Sequence, residues 1–287
     1  MTEPMRNMLV FQTDFGYRDS TVAAMYGVVK SVNRDIEIID STHELPQYDI
    51  WSASYRLWQC IRFWPKGTVF VSVVDPGVGT ARKACVALTT DGYYIVTPDN
   101  GSLTHVKKYY GIQEIREIDE TINRLHHAGT DDTSVFHGRD LFGYCAARLT
   151  AGIISFEQVG PAYDPDEIIS LDMPEPVYGT DAVDGYIEID DPNFGNLFTN
   201  IETEKLLASG YAYGESVHLI IRYRNEIVFN KEVPFEKTFG NVSKGDPVIY
   251  NNELMHVSFA VTQGSFVEAY GIHFGPEWTV RLEKAKK

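Results

Sequence analysis

The run Val74-Asp75-Pro76-Gly77-Val78-Gly79-Thr80-Ala81-Arg82 is where the residue types first suggest chemistry. Gly77 and Gly79 open a GxGxxG, but Arg82 stands where the third glycine belongs. Strand-like Ala84 to Leu88 then follows, not a helix whose N-terminus could hold phosphate. A dinucleotide fingerprint is therefore not expected. The other reading is a glycine turn that returns Arg82 toward Asp75, as a structural ion pair or as a pair that polarises a group between them. Asp14 closes an apolar run, and ligands of α/β sheets lie beyond the carboxyl ends of strands. A carboxylate there can accept two hydrogen bonds from a ribose diol, or simply cap a turn. Phe136-His137-Gly138-Arg139-Asp140 opens a helix. Imidazole suits proton transfer near neutral pH, and Gly138 would leave room for a small molecule beside it; an isolated histidine can equally be structural. Asp191-Pro192-Asn193-Phe194-Gly195-Asn196 reads as an Asx-rich turn, or as a ligand-facing loop with Asp191 and Asn196 as polar hooks and Phe194 as an apolar wall. His126, His127, Asp131, Asp132 and His137 could be imagined around a metal. Adjacent histidines point in different directions, however, and no HxH or HExxH spacing is present, so neither metal nor cofactor is expected.

The elements that must position these residues change character along the chain. Met8 to Thr13, Ile36 to Asp40 and Thr68 to Val74 are short apolar runs that read as buried strands. Between them, Val22, Met25, Val28, Val29 and Val32 fall near helical spacing, with Asp19 or Ser20 as the cap. Tyr48 to Trp64 reads as an aromatic-rich helix ended by Pro65-Lys66-Gly67. This alternation predicts an α/β N-terminal domain with a largely parallel sheet. Ala84 to Leu88, Tyr93 to Thr97 and Ile112 to Ile118 read as further strands, and Arg139 to Leu149 as a helix. Pro161, Pro165, Pro174 and Pro176 mark a boundary, giving domains 1–176 and 177–287. Beyond it, Val183 to Ile189, Ser216 to Tyr223, Glu226 to Phe229, Pro247 to Tyr250 and Met255 to Val261 read as strands of a smaller, mostly antiparallel, barrel-like β domain.

Composition narrows the function classes. Hydrophobic residues make up 44% of the 287 and are spread throughout, so wholesale disorder is not expected. The formal net charge of -15 would repel a polyanion, which argues against nucleic acid but not against a small cation. Cys60, Cys85 and Cys145 form neither a disulfide framework nor a CxxC pair. No basic-then-apolar leader is visible at Met1 to Met8, and no stretch is apolar enough to cross a bilayer. A reducing cytoplasm is the expected compartment.

Five ordered motifs together resemble one family, the S-adenosylmethionine (SAM) hydroxide adenosyltransferases, which are adenosine-forming SAM hydrolases related to the fluorinase and chlorinase. They are Thr13-Asp14-Phe15-Gly16, Asp75-Pro76-Gly77-Val78-Gly79, Thr97-Pro98-Asp99-Asn100-Gly101, Phe136-His137-Gly138-Arg139-Asp140 and Asp191 through Asn200. The resemblance covers nearly the whole chain. It implies an α/β domain followed by a β domain, and a homotrimer with each site between the N-domain of one subunit and the C-domain of its neighbour. It implies that Asp14 grips the ribose hydroxyls and that Tyr48 packs against the ribose. Asp75, Arg82 and His137 would form a catalytic set near the attacking water, with Phe136 and Gly138 beside them. Asp191 would face the methionine amino group, Asn196 the adenine, and Phe194 the wall of the adenine pocket. Thr262-Gln263 stand where the halogenases use a Ser-Arg pair near the substrate carboxylate, and Gln263 can hydrogen-bond a carboxylate but brings no charge.

The halogenases carry Tyr in place of both Asp75 and His137. A carboxylate beside a halide site would repel the halide, so the resemblance favours hydrolysis of SAM to adenosine and methionine. His137 is then expected to accept or relay the water's proton, Arg82 to orient the water and Asp75 to hold both. Which member is the base stays open. The competing classes are a halogenase-type transferase, a non-catalytic SAM or adenosine binder, and a metal hydrolase.

Overall fold

The computed structural model describes residues 7–126 and 135–284. It divides into two compact units, Met1–Leu171 and Asp172–Lys287.

In the first unit, β1 (Met8–Thr13) is buried on both faces, which is why it reads as an unbroken apolar run. Helix α1 (Thr21–Val32) follows, its first amide held by the Asp19 carboxylate at 2.8 Å. It buries Val22, Met25 and Val29, each contributing about 1.5–3 kcal/mol. Then come β2 (Glu37–Thr42), α2 (Ile50–Ile61) and β3 (Val69–Val73). Asp49 caps α2 by accepting from the Ser52 amide at 3.0 Å, so that helix starts two residues later than the aromatic pattern suggests. β4 (Ala84–Thr89) and β5 (Tyr94–Pro98) follow, then α3 (Thr104–Tyr110), β6 (Ile112–Glu117) and α4 (Glu120–Asn123). A π-helical turn, Gly138–Gly143, runs into α5 (Tyr144–Thr150), and β7 (Ala162–Tyr163) completes the sheet.

The seven strands lie in the order β2-β1-β3-β5-β4-β6-β7. Pairing is parallel from β2 through β5 and antiparallel from β5 through β7, so the sheet is mixed. The reason is local: the turn at Thr90 to Gly92 joins β4 to β5, and so tight a connection can only return the chain antiparallel. Strand β1 has β2 on one side and β3 on the other, so the chain reverses direction of travel across the sheet at β1. Such a reversal leaves a crevice at the carboxyl ends of the two diverging strands.

The second unit contains β8 (Val177–Tyr178), β9 (Ala182–Asp190), β10 (Leu197–Glu202), α6 (Thr203–Ala208), β11 (Ser216–Tyr223), β12 (Glu226–Pro234), β13 (Pro247–Asn251), β14 (His256–Val261), α7 (Phe266–Tyr270) and β15 (Trp278–Lys284). The order is β12-β11-β15-β9-β10-β14-β13, with β8 beside β9, and every strand pairing is antiparallel. Phe235 bridges Ile249, bringing the end after β12 against β13 and nearly closing a barrel. Among the described residues, no helix is long and apolar enough to cross a membrane.

Candidate active site

Asp14 follows β1 and Asp75 follows β3 by two residues. Thr13 pairs with Val73 in register, so the two carboxylates leave neighbouring strand ends. They border a cavity of about 390 Å³, also lined by Phe15, Tyr48, Phe136, His137 and Gly138, and by Gln47, which the sequence reading did not single out.

After Asp75 the chain turns tightly: the Val78 amide donates to the Asp75 carbonyl at 3.2 Å, and Gly79 adopts φ +75°. Arg82 is thereby returned to Asp75. Its Nε donates to Oδ1 at 3.0 Å and its Nη2 to Oδ2 at 2.5 Å. Nη2 also donates to His137 Nδ1 at 2.8 Å. The Arg82 and Asp75 side chains are only 9% and 5% exposed, so this is a largely dry ion pair. The Phe142 ring lies 5.1 Å from the guanidinium carbon and supplies a π face.

His137 precedes the π-helical turn, a geometry often found at functional sites. Its Nε2 is buried and has no hydrogen-bond partner among the described residues. Burial holds the imidazole pKa below the ordinary value, and the Arg82 charge pushes it further down. Gly138 lines the cavity, while the direction a Cβ would take is filled by protein, since a Cβ there would stand 2.9 Å from the Phe15 ring. Phe15 and Phe136 meet edge to face at 5.9 Å, so Gly138 serves close aromatic packing.

Asp14 is half-buried. Desolvation raises its pKa, the neighbouring Asp75 charge adds to the rise, and hydrogen bonds from the Tyr48 and Asp14 amides oppose it. The Tyr48 amide donates to Asp14 Oδ2 at 2.9 Å. Tyr48 itself has φ +64° and is 70% exposed. A non-glycine residue in that region stores about 1–3 kcal/mol, which the surroundings must offset.

The loop carrying Asp14 is fastened from beneath by a chain of polar groups that sequence reasoning missed. The Phe15 amide donates to Thr13 Oγ1 at 3.2 Å, Thr13 Oγ1 meets His43 Nδ1 at 2.7 Å, and His43 Nε2 meets Asp40 Oδ1 at 3.1 Å. Since Asp40 accepts at Nε2, Nδ1 takes the Thr13 hydroxyl hydrogen, and every valence is used. His43 is fully buried. The only signal in sequence is an Asp40-x-x-His43 spacing at the end of β2, which a strand with an exposed edge would also show.

In the second unit, Asp191 Oδ1 accepts from the Asn193 and Phe194 amides at 2.9 and 3.1 Å, so the Asx turn is present. Asp191, Phe194, Asn196 and Gln263 all line a cavity of about 980 Å³, and Phe194 is 69% exposed. Gly195, at φ +67°, is packed so closely on Ser265 that a Cβ would fall 1.9 Å from its hydroxyl oxygen. Gln263 has φ +55°, and the buried Thr262 hydroxyl beside it has no hydrogen-bond partner among the described residues.

Among the described residues no group of three or more His, Cys, Asp or Glu could hold a metal ion. His127, Asp131 and Asp132 lie outside the described residues.

Residues 9–160 match the family described as SAM hydroxide adenosyltransferase N-terminal domain, and residues 185–279 match its C-terminal domain. The protein named (R)-S-adenosyl-L-methionine hydrolase from Salinispora tropica is 33% identical, over 91% of this chain and 93% of its own. Its namesake from Methanocaldococcus jannaschii is 31% identical over 88% of each. A protein named fluorinase from Actinoplanes is 29% identical over 97% and 98%. A solved structure of an uncharacterized conserved protein from Thermotoga maritima is 33% identical with a TM-score of 0.86, covering 96% of this chain and 100% of that one.

Proposed function

The chain belongs to the SAM hydroxide adenosyltransferase family, and on that premise we propose that it is an enzyme that hydrolyses S-adenosyl-L-methionine at C5′, giving adenosine and L-methionine. The observation that carries this reading is the Asp75–Arg82–His137 cluster at the wall of the first cavity. The substrate brings its own leaving group, a sulfonium that departs as a neutral thioether. The protein has to hold water behind C5′ and remove one proton. Positioning can supply on the order of 7–11 kcal/mol at best, and general-base assistance roughly 10²–10⁴-fold. Asp14 is suited to the ribose hydroxyls, because the Tyr48 amide fixes its carboxylate at the cavity wall and a carboxylate has about four lone-pair sites to offer. Asp191, Phe194, Asn196, Thr262 and Gln263 are assigned to the adenine and methionine ends.

The proposal extends to a homotrimer in which one copy's first unit and a neighbour's second unit complete each site. Its support is the family resemblance and the division of recognition groups between two cavities. A reducing cytoplasm is proposed as the compartment, in keeping with three free cysteines. A halide nucleophile is disfavoured because the carboxylate of Asp75 borders the cavity.

Purified protein incubated with SAM should release adenosine and methionine in equal amounts, without halide and in the presence of EDTA. Product that forms only with chloride or fluoride would make it a halogenase. SAM binding without turnover would make it a binding protein, and loss of activity in EDTA would make it a metal hydrolase.

A further inference from the structure

We propose that the turn Asp99-Asn100-Gly101 holds in place the loop that carries Asp75 and Arg82, with Asn100 as its positioning residue. Resting on the hydrolysis proposed above, this role gives a use to Thr97-Pro98-Asp99-Asn100-Gly101, a motif that lines neither cavity.

Asp75 and Arg82 sit at the two ends of the loop that leaves β3 and enters β4. Strands β3 and β5 pair in parallel from Val69 with Tyr94 to Val71 with Val96, and the ladder stops there. Beyond it the side chain of Asn100 spans the gap. Its Nδ2 donates at 2.9 Å to the carbonyl of Val74, the residue before Asp75. Val74 is fully buried, so its carbonyl has no water to turn to if that donor is removed. At the other end, the Asp99 amide donates at 2.9 Å to the carbonyl of Lys83, the residue after Arg82. One turn thus holds both ends of the loop.

The turn is itself fixed from several sides. Asn100 Oδ1 accepts from the Ser102 amide at 3.2 Å and from the Ser102 hydroxyl at 2.7 Å, which decides that the nitrogen end of the side chain faces Val74. The buried Asp99 carboxylate accepts from the Tyr163 hydroxyl at 2.9 Å and the Ile169 amide at 3.0 Å. Gly101 has φ +110°, and a Cβ there would stand 2.8 Å from the Leu171 side chain. A carboxylate at position 100 would serve Ser102 equally well, but it would set oxygen against the Val74 oxygen. What the side chain contributes to the loop is therefore its N–H. Strand β1 stays paired with β3 as far as Thr13 and Val73, so Asp14 is held without Asn100. A misplacement of about 1 Å in a reacting group can cost on the order of 10²-fold in rate. The role of Asn100 accordingly shows in turnover and not in affinity for SAM.

Two measurements test this. Arg82 Nε donates to Asp75 inside a largely dry pair, so in ¹⁵N-labelled wild-type protein its N–H, assigned by loss of the signal in Arg82→Lys, should exchange slowly with solvent. Asn100→Asp should speed that exchange by about tenfold or more. In kinetics, Asn100→Asp should lower kcat on the order of 10–10²-fold while KM for SAM stays within about threefold of wild type. Asn100→Ala removes the donor without adding an oxygen, so it should show both effects to a smaller degree, and it supplies the same readouts should Asn100→Asp fail to fold. Wild-type exchange at Arg82 in both variants overturns the role, whether or not the protein turns over SAM. Wild-type kcat in Asn100→Asp with loss in Asn100→Ala also overturns it, being the pattern of a turn that needs only an acceptor. A raised KM at unchanged kcat overturns it as well. Failure of the wild type to release adenosine would instead overturn the proposed function and leave the Arg82 measurement standing.

Discussion

At the scale of single residues, the dry contact between Asp75 and Arg82 sets two expectations. Removing one partner of a buried pair leaves the other charged and unsatisfied, at about 3–5 kcal/mol. Asp75→Ala should therefore lower both turnover and stability in urea unfolding. Asp14→Ala, at a half-buried carboxylate, should chiefly raise KM for SAM. Comparable loss of stability in both variants would contradict this. The second expectation concerns pH. The folded-state pKa of His137 is depressed, so its contribution to stability is present above the ordinary imidazole value of about 6.5 and is lost as pH falls through the lower folded value. Turnover should likewise hold through about 6.5 and decline only below it. An acid limb centred at or above that value in a kcat–pH profile would count against a neutral His137. The turn that returns Arg82 to Asp75 could be read from its glycines. The approach of His137 could not, because its 55-residue separation from Arg82 leaves no local trace. Gly138 has a second use that the sequence does not disclose: a missing Cβ admits a neighbour as readily as a ligand, and here it admits Phe15.

At the scale of elements, the loop after β1 is held by the chain Phe15–Thr13–His43–Asp40, so the position of Asp14 depends on a histidine at the far end of β2. His43→Ala should raise KM for SAM several-fold with little change in kcat. A fall in kcat at unchanged KM would place His43 nearer the reacting atoms than this network allows. Strand β1 and helix α1 were legible to the residue, because one is buried throughout and the other shows a clean helical repeat. Strand β10 was not: it follows a loop of Asn and Gly, and burial on both faces removes the alternation that marks a strand. Strand β15 was missed although it alternates, its charged outward residues resembling a solvated tail. The mixed character of the first sheet was also hidden, since pairing direction depends on which strands become neighbours.

At the scale of the molecule, each unit carries its own cavity, and neither holds all the groups the proposed reaction needs. The homotrimer proposal predicts a solution mass of three chains by ultracentrifugation. It also predicts complementation: Asp75→Asn and Asn196→Ala, each impaired alone, should regain activity when unfolded together and reassembled, because some mixed sites receive neither lesion. No recovery in correctly sized mixed assemblies would mean that each chain builds its site alone. The acidic surface adds a consequence for rate. A net charge of -15 draws a cationic substrate from a distance, so kcat/KM should fall with added salt more than kcat does.

A sulfonium is an alkylating reagent, and a side chain that points a free electron pair at its C5′ carbon competes with water to become the product. Arg82 already engages the one such pair on the neutral ring of His137. The nucleophilic pair of the ring is thereby spent inside the protein. An enzyme that handles such an electrophile repeatedly is thus guarded against adenosylation at Nδ1 of the imidazole that lines its first cavity.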